Sequence, residues 1–315
     1  MNDASLLNVA MRAPTARQEA VRTENALVQV ESIMNELALV NAEGDRMAEM
    51  VAEHLSTGGK RLRARLALAT GNALGADSHA TLQWAAACEL MHNASLVHDD
   101  LQDGDRVRRG RPTTWVVHGS AQAVNVGDLM LMLPFASLER MMNVPAATLW
   151  NLSRLLASSA AETVRGQSAE MDLLPRRRLN VDDYLQVVEG KTAALFALPV
   201  HGAALLAGAS GERAEQLSTP FRLLGQLFQL QDDVLDLYGD KGRHCVGSDL
   251  REGKVSALVV EHIARRPSDL ARLLTLLETP RELTLDCEVA WATGAFVSSG
   301  ARDAVLARIR RLADA

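Results

Sequence analysis

Asp99, Asp100 and Asp103 form a DDxxD group. On a helix, residues four apart share a face, which puts Asp99 and Asp103 roughly 6 Å apart along the axis, with Asp100 about a quarter turn away. Carboxylates this close repel by roughly 0.2–0.5 kcal/mol. One such group is therefore explained as well by a solvated helix end as by chemistry. The arrangement recurs, however, at Asp232, Asp233 and Asp236. Each group follows an apolar run, Ala94 to Val97 in the first case and Leu223 to Leu230 in the second, so both sit at the rim of something greasy. A hard divalent cation relieves the repulsion. Magnesium prefers carboxylate oxygen, keeps part of its water shell and is commonly completed by substrate phosphates, so two facing groups make a clamp for a diphosphate.

A diphosphate also needs cations from the protein. Gly58-Gly59-Lys60-Arg61-Leu62-Arg63 reads as the opening of a helix, where glycine lets backbone approach an anion and the helix dipole adds positive charge. That spacing places Lys60 and Arg63 on one face. Arg106, Arg108, Arg109 and Arg111 follow the first aspartate group directly, and guanidinium suits bidentate phosphate contacts. Taken singly, each basic run is a solvated loop. His92 is equally explained as a packed core residue, but it lies seven residues before Asp99, two turns along the same face.

These residues require helices to position them. Apolar residues recur at three- and four-residue intervals over roughly 20–55, 60–75, 78–103, 119–142, 146–172, 181–207, 211–238 and 254–265, more weakly over 267–278 and 301–313. Breakers at Gly58-Gly59, Gly110-Arg111-Pro112, Pro175, Gly208 to Gly211 and Gly239 to Gly247 separate them. Aromatic residues are only 3% of the 315, few for a β protein. The expected class is all-α: one large helical bundle around a central cavity, spanning 1–315, with about the first 20 residues flexible.

A net charge of -6 argues against nucleic acid or an anionic membrane as partner. Cys88, Cys245 and Cys287 are odd in number and widely spaced, which indicates neither a disulfide framework nor a zinc site and fits a cytoplasmic protein. The start of the chain does not read as a signal peptide, and no apolar run of the ~18 residues needed to cross a bilayer stands out.

The chain resembles the trans-isoprenyl diphosphate synthases, or polyprenyl synthetases, over about residues 55 to 260. GGKRLRARL, ELMHNASLVHDDLQDGDRVRRGRPTTW, NVGDLMLM, EGKTAALF, GQLFQLQDDVLD and GSDLREGK occur in that family's order. The resemblance implies that Asp99, Asp100, Asp103, Asp232, Asp233 and Asp236 hold three magnesium ions on an allylic diphosphate. It places isopentenyl diphosphate against Lys60, Arg63, His92 and Arg109. It puts Arg108, Lys191 and Lys254 on the allylic diphosphate, and Thr192 and Gln229 at the reacting centre. The implied reaction ionises the allylic C–O bond, joins the cation to the alkene of isopentenyl diphosphate, and uses the released diphosphate as base. A homodimer is implied as well. A terpene cyclase would not need the second diphosphate site, and a non-catalytic partner subunit would be expected to lose an aspartate group.

Departures from the family pattern lie at Gly242 to Asp249, where Arg243 or His244 stands in for a usual lysine, and at Ser256-Ala257-Leu258 in place of Thr-Leu-Pro. Glu170 stands where aspartate is usual. Ala94 and Ser95, five and four residues before Asp99, are too small to block a growing chain. Met91, one turn further down, is read as the floor, with Met130 to Leu133 and Phe135 beside it, and a twenty-carbon product is expected, with a farnesyl or longer-chain product as the alternative. Asp182 and Asp183 fit a helix start better than a metal pair. Residues 103–111 are polar enough to move as a lid.

Overall fold

The computed structural model describes residues 16–39, 45–239 and 247–314, with side chains from residue 21. Among these the chain is helical, apart from one two-residue hairpin. The first helices are α1 (Ala16–Leu39), α2 (Arg46–Leu55), α3 (Leu62–Leu74) and α4 (Ser78–Gln102), followed by the hairpin strands β1 (Val107–Arg108) and β2 (Arg111–Pro112). Next come α5 (Thr114–His118), α6 (Ser120–Glu139), α7 (Ala146–Leu173) and α8 (Val181–Val188). A π-helical turn, Glu189–Ala193, joins α8 to α9 (Ala194–Leu206). The remainder is α10 (Gly211–Tyr238), α11 (Ser248–Arg251), α12 (Ala257–Arg265), α13 (Leu270–Glu278), α14 (Asp286–Ser298) and α15 (Ala301–Ala313).

Polar side chains fix several helix starts by accepting backbone N–H groups that have no partner within the helix. Asp45 accepts from Met47, Asp77 from Ala80 and Ser210 from Arg213. At α8 the cap is Asn180, which accepts from Asp183 N, while Asp182 and Asp183 occupy the first turn as the sequence suggested.

Two apolar cores organise the helices. The larger is built on α1 to α7 and α9, with Trp84 and Leu90 of α4 among its fully buried side chains. Trp84 donates its indole N–H to the Pro199 carbonyl of α9 at 3.0 Å, and its ring fills the space a side chain at Gly202 would need. The smaller core joins the ends of α7 and α10 to α12–α15, with Phe296 and Leu258 fully buried. α7 and α10 run through both: Leu152 and Ala214 belong to the first core, Leu173 and Leu230 to the second. The second aspartate group thus sits where the cores meet.

The helical run expected over 20–55 is two helices, and residues 40–44 between them lie outside the described residues, as do residues 1–15, on which most of the expected flexible start falls. α14 was not legible because apolar residues surround it, leaving no contrast between faces. α6 qualifies the expectation that no segment reaches membrane-spanning length. It is 20 residues long with a mean hydropathy of 1.2, but 44% of that stretch is buried inside the fold against its neighbours.

Candidate active site

The first aspartate group ends α4: Asp99 and Asp100 lie in its last turn and Asp103 is its C-cap residue. Each carboxylate faces a cation. Lys191 Nζ is 2.9 Å from Asp99 Oδ1, Arg108 Nε donates to Asp100 Oδ1 at 2.5 Å, and Lys254 Nζ is 2.6 Å from Asp103 Oδ2. Burial opposes charge on Asp99, but Lys191, Lys254 and Arg108 outweigh it and hold that carboxyl below its usual range. Asp103 goes the other way, raised by burial and by the charge of Asp99. Burial also pushes Asp100 up, to about 7, although Arg108 opposes this.

Lys191 stands in the π-helical turn, a local widening of the helix that re-aims side chains and often marks functional positions. It is ion-paired with both Asp99 and Glu170 of α7, and these carboxylates raise its ammonium despite burial. Thr192, the next residue, points toward α10 and donates to Gln229 Oε1 at 3.1 Å. One short turn therefore ties the first aspartate group to the helix that carries the second. Lys254 and Ala257 make a parallel link. Lys254 reaches Asp103 and Glu252, and Ala257 N donates to Asp233 Oδ2 at 2.7 Å.

The three aspartates of the second group have different surroundings. Asp233 is buried and accepts from Ala257 N, from Tyr184 Oη at 2.7 Å and from Gln229 Nε2 at 3.0 Å. Asp236 is buried as well and accepts from Ser248 Oγ and Asp249 N, each at 3.2 Å. Both anchor the start of the C-terminal helices to α10. Asp232 is half-buried.

The basic residues cluster around the start of α3. That helix begins at Leu62, with Arg61 in the left-handed region at φ 49°. Lys60 consequently stands exposed on the incoming loop and not on a helix face shared with Arg63, because the glycines and Arg61 turn the chain before the helix starts. Arg63 is buried, 3.3 Å from His92 Nε2 and 4.4 Å over the Phe196 ring, and burial lowers it only to about 10, so it stays charged at neutral pH. His92 is held neutral by burial and by Arg63, Arg109 and Arg108. Arg109, at φ 53°, donates to the Gly58 carbonyl, and its guanidinium packs where a side chain at Gly59 would be. Arg111 reaches Ser56 Oγ at 2.9 Å. The polar segment 103–111 is thus a hairpin pinned to the loop before α3.

Several contributors have no mark in the sequence. Glu89, buried on α4, accepts from Ala64 N at 3.0 Å and so caps α3 from a neighbouring helix while facing Arg63. Tyr184 orients Asp233. Arg281 pairs with Glu252 at 3.0 Å and supports the partner of Lys254. Their only signal is three-dimensional. Residues 240–246, with Arg243 and His244, lie outside the described residues.

Met91 and Ala94 are buried two turns and one turn below the aspartates, and Ser95 donates its hydroxyl to His92 O at 2.7 Å. Met130 and Leu133 are buried in the same core as Met91 and Phe135 packs against it, whereas Met132 is exposed and points away from it.

Among the described residues no three acidic, histidine or cysteine side chains form a ready-made metal cage. Magnesium does not need one, since it is held by one or two carboxylates plus phosphate and water. The donor set fits it: Asp99 Oδ1 and Asp103 Oδ2 are buried oxygens that receive no well-directed hydrogen bond, only the nearby ammonium groups.

His54, beneath the hairpin, yields a pH prediction. Burial and the Arg108, Arg109 and Arg61 charges lower it to about 4. A histidine depressed in the folded state contributes stability above its unfolded value, near 6.5, and that contribution disappears as pH falls toward 4. The loss should reach about 3 kcal/mol at most. Urea denaturation at pH 7 and pH 5 should show a smaller pH effect in His54→Gln than in the unaltered protein; equal effects would remove His54 from the account.

Comparison with known proteins places this site in a family. The polyprenyl synthetase family profile matches residues 45–292. A geranylgeranyl diphosphate synthase of Methanosarcina mazei is 39% identical over 209 residues, 65% of this chain and 64% of that one. The (2E,6E)-farnesyl diphosphate synthase of Mycobacterium tuberculosis is 37% identical over 257 residues, 80% and 71% of the two chains. Among solved structures, the geranylgeranyl pyrophosphate synthase of Corynebacterium glutamicum, complexed with isoprenyl diphosphate and magnesium, superposes with a TM-score of 0.80 at 25% identity, covering 93% of this chain and 90% of that one. With two aspartate groups bridged by Lys191, Thr192 and Lys254 beside a cationic helix start, and with this match across most of its length, the chain belongs to the polyprenyl synthetase family of prenyltransferases.

Proposed function

We propose that the protein condenses isopentenyl diphosphate head to tail with an allylic diphosphate, giving a linear polyprenyl diphosphate of twenty carbons. The observation that carries this reading is the pairing of Asp99 with Lys191 and of Asp103 with Lys254. Carboxylates and lysines held this close, with two buried oxygens lacking directed donors, form a charge-balanced resting state that a metal–diphosphate complex can enter. With such a complex bound, the carboxylates would hold metal and the lysines phosphate.

Asp99, Asp103 and Asp232 are assigned as the residues that hold magnesium, three ions by the family resemblance; when bound, magnesium neutralises the departing diphosphate. Asp100 holds Arg108, and Asp233 and Asp236 hold the C-terminal helices that bring Lys254 into place. Lys191, Lys254 and Arg108 bind the allylic diphosphate, while Lys60, Arg63, His92 and Arg109 bind isopentenyl diphosphate. Neutral His92 donates a hydrogen bond there without adding charge. Thr192 is fixed by Gln229, itself fixed by Asp233, so its hydroxyl oxygen is preorganised to face the allylic cation. The apolar helix below excludes water from that cation.

Small Ala94 and Ser95 leave the passage open, and buried Met91 and Met130 supply the floor that supports the twenty-carbon product. The farnesyl name of one relative keeps a fifteen-carbon product as the second reading. A cytoplasmic location and a homodimer are the expected setting and assembly. The test is incubation with magnesium, radiolabelled isopentenyl diphosphate and dimethylallyl, geranyl or farnesyl diphosphate in turn. A twenty-carbon alcohol after dephosphorylation is expected, and Met91→Ala should lengthen it. No elongation from any primer would sink the proposal, and unchanged product length in Met91→Ala would remove the floor.

A further inference from the structure

A cavity of about 280 Å³ lies among the end of α2, the end of α4, the β1–β2 hairpin and α5, lined among others by His54, Thr57, Asp100, Arg108 and Arg111. Lys60, Arg63, His92, Lys191 and Lys254 take no part in it, and Arg108 is the one residue it shares with the proposed diphosphate positions. His54 is only 5% exposed. Among the described residues its Nε2 and the Thr57 Oγ1 are both buried without a hydrogen-bond partner. Buried polar atoms left this way are costly and uncommon in folded proteins, and each calls for an occupant.

The character of that occupant follows from the charges. Burial and three guanidinium groups, Arg108, Arg109 and Arg61, hold the His54 ring neutral against an opposing contact with Asn93. A neutral imidazole beside guanidinium groups, with a hydroxyl next to it, offers hydrogen-bond donors to an acceptor. Glu53 is already engaged with His118 at 2.8 Å and Asp100 with Arg108 at 2.5 Å. Among the described residues Arg111 makes a single side-chain hydrogen bond, to Ser56 Oγ, which leaves its remaining N–H groups for another acceptor. Water would satisfy the two orphan atoms, whereas an oxyanion would satisfy them and also accept from Arg108 and Arg111, which line the same cavity. The volume is at the lower edge of the range of roughly 300–1,000 Å³ usual for organic ligands.

We propose that this cavity binds a small tetrahedral oxyanion of the phosphate type, held by Arg108, Arg111, His54 and Thr57. Its occupant competes with Asp100 for Arg108 and so reports anion concentration to the adjoining clamp. That coupling rests on Arg108 as a diphosphate contact in the proposed function; the binding itself does not. Free orthophosphate and the inorganic diphosphate released by the reaction share this chemistry.

Magnesium-free protein labelled at histidine with ¹⁵N should be titrated separately with orthophosphate and with inorganic diphosphate, following the His54 imidazole resonance identified with His54→Gln. A saturable shift is expected, and the anion that saturates at lower concentration is the source. Thr57→Val, nearly isosteric, should weaken binding about tenfold, the loss expected for a hydrogen bond to a charged group. Lys60→Ala should leave binding unchanged. No saturable shift with either anion, or a shift lost in Lys60→Ala and retained in Thr57→Val, would overturn the site. Because these readouts need no condensation activity, failure of the enzymatic reading and failure of this one are separable.

Discussion

Asp99→Asn is expected to lower kcat/KM for condensation by about 10³-fold, near the upper end of what removal of one preorganised charge-stabilising group costs, with little change in thermal stability. The fold secures the charge of Asp99, since Lys191, Lys254 and Arg108 hold it below its usual range against burial. The asparagine keeps the shape but removes the charge with which Asp99 would hold a divalent cation. Lys191 retains Glu170 as a partner, so the substitution does not leave a buried ammonium alone. Single-turnover rates at saturating magnesium, alongside circular dichroism melting, separate the two effects. A rate within tenfold of the unaltered protein would mean that Asp99 is only the resting partner of Lys191. A large drop in melting temperature would make its role structural.

The sequence carried the chemistry of this site better than its division of labour. DDxxD at Asp99 and Asp232 is legible because i,i+4 spacing puts like charges on one face, an arrangement that asks for a counter-ion whatever the fold. The same pattern does not say which carboxylates are free to meet a ligand. Asp233 looks identical to Asp100 in one dimension, yet three donors from α8, α10 and α12 converge on it. That convergence depends on how distant helices pack. Lys60 shows a second kind of limit: the spacing to Arg63 is right for a helix face, but Arg61 adopts a left-handed conformation and the helix starts later. Glu89 was hidden for another reason. A glutamate inside an Ala/Leu/Met helix reads as a stray polar residue until a second helix presents an uncapped N–H to it. The helices themselves were legible where one face contrasts with the other, and illegible at α14, where none does.

Gly166→Ala is expected to reduce kcat/KM by about 10²-fold and to destabilise the protein by roughly 1–2 kcal/mol, though it adds a single methyl to a helix nowhere near the aspartates in sequence. A Cβ at Gly166 would come within 2.2 Å of Lys191 N, 2.6 Å of Gly190 C and 2.8 Å of Lys191 Cα. All three are backbone atoms, so no side-chain rotation relieves the overlap. α7 and the π-helical turn must instead separate by about 1 Å to reach ordinary contact distance. Overpacking of this kind costs about 1–3 kcal/mol, more than the ~1 kcal/mol that alanine recovers through helix propensity. The turn cannot retreat freely on its other side, because Gly225 of α10 lies so close that its own Cβ would be 2.6 Å from Ala193 Cα. The displacement therefore falls on Lys191 and Thr192, the two residues that link Asp99 to Gln229. Misplacement of reacting or positioning groups by about 1 Å is enough to cost about 10²-fold in rate. Melting temperature and steady-state kinetics of Gly166→Ala test both halves. A stable, slow enzyme would show that the turn yields while the cores hold; an unaffected enzyme would show that α7 shifts without carrying the turn, and that the close approach at Gly166 does not set the position of Lys191.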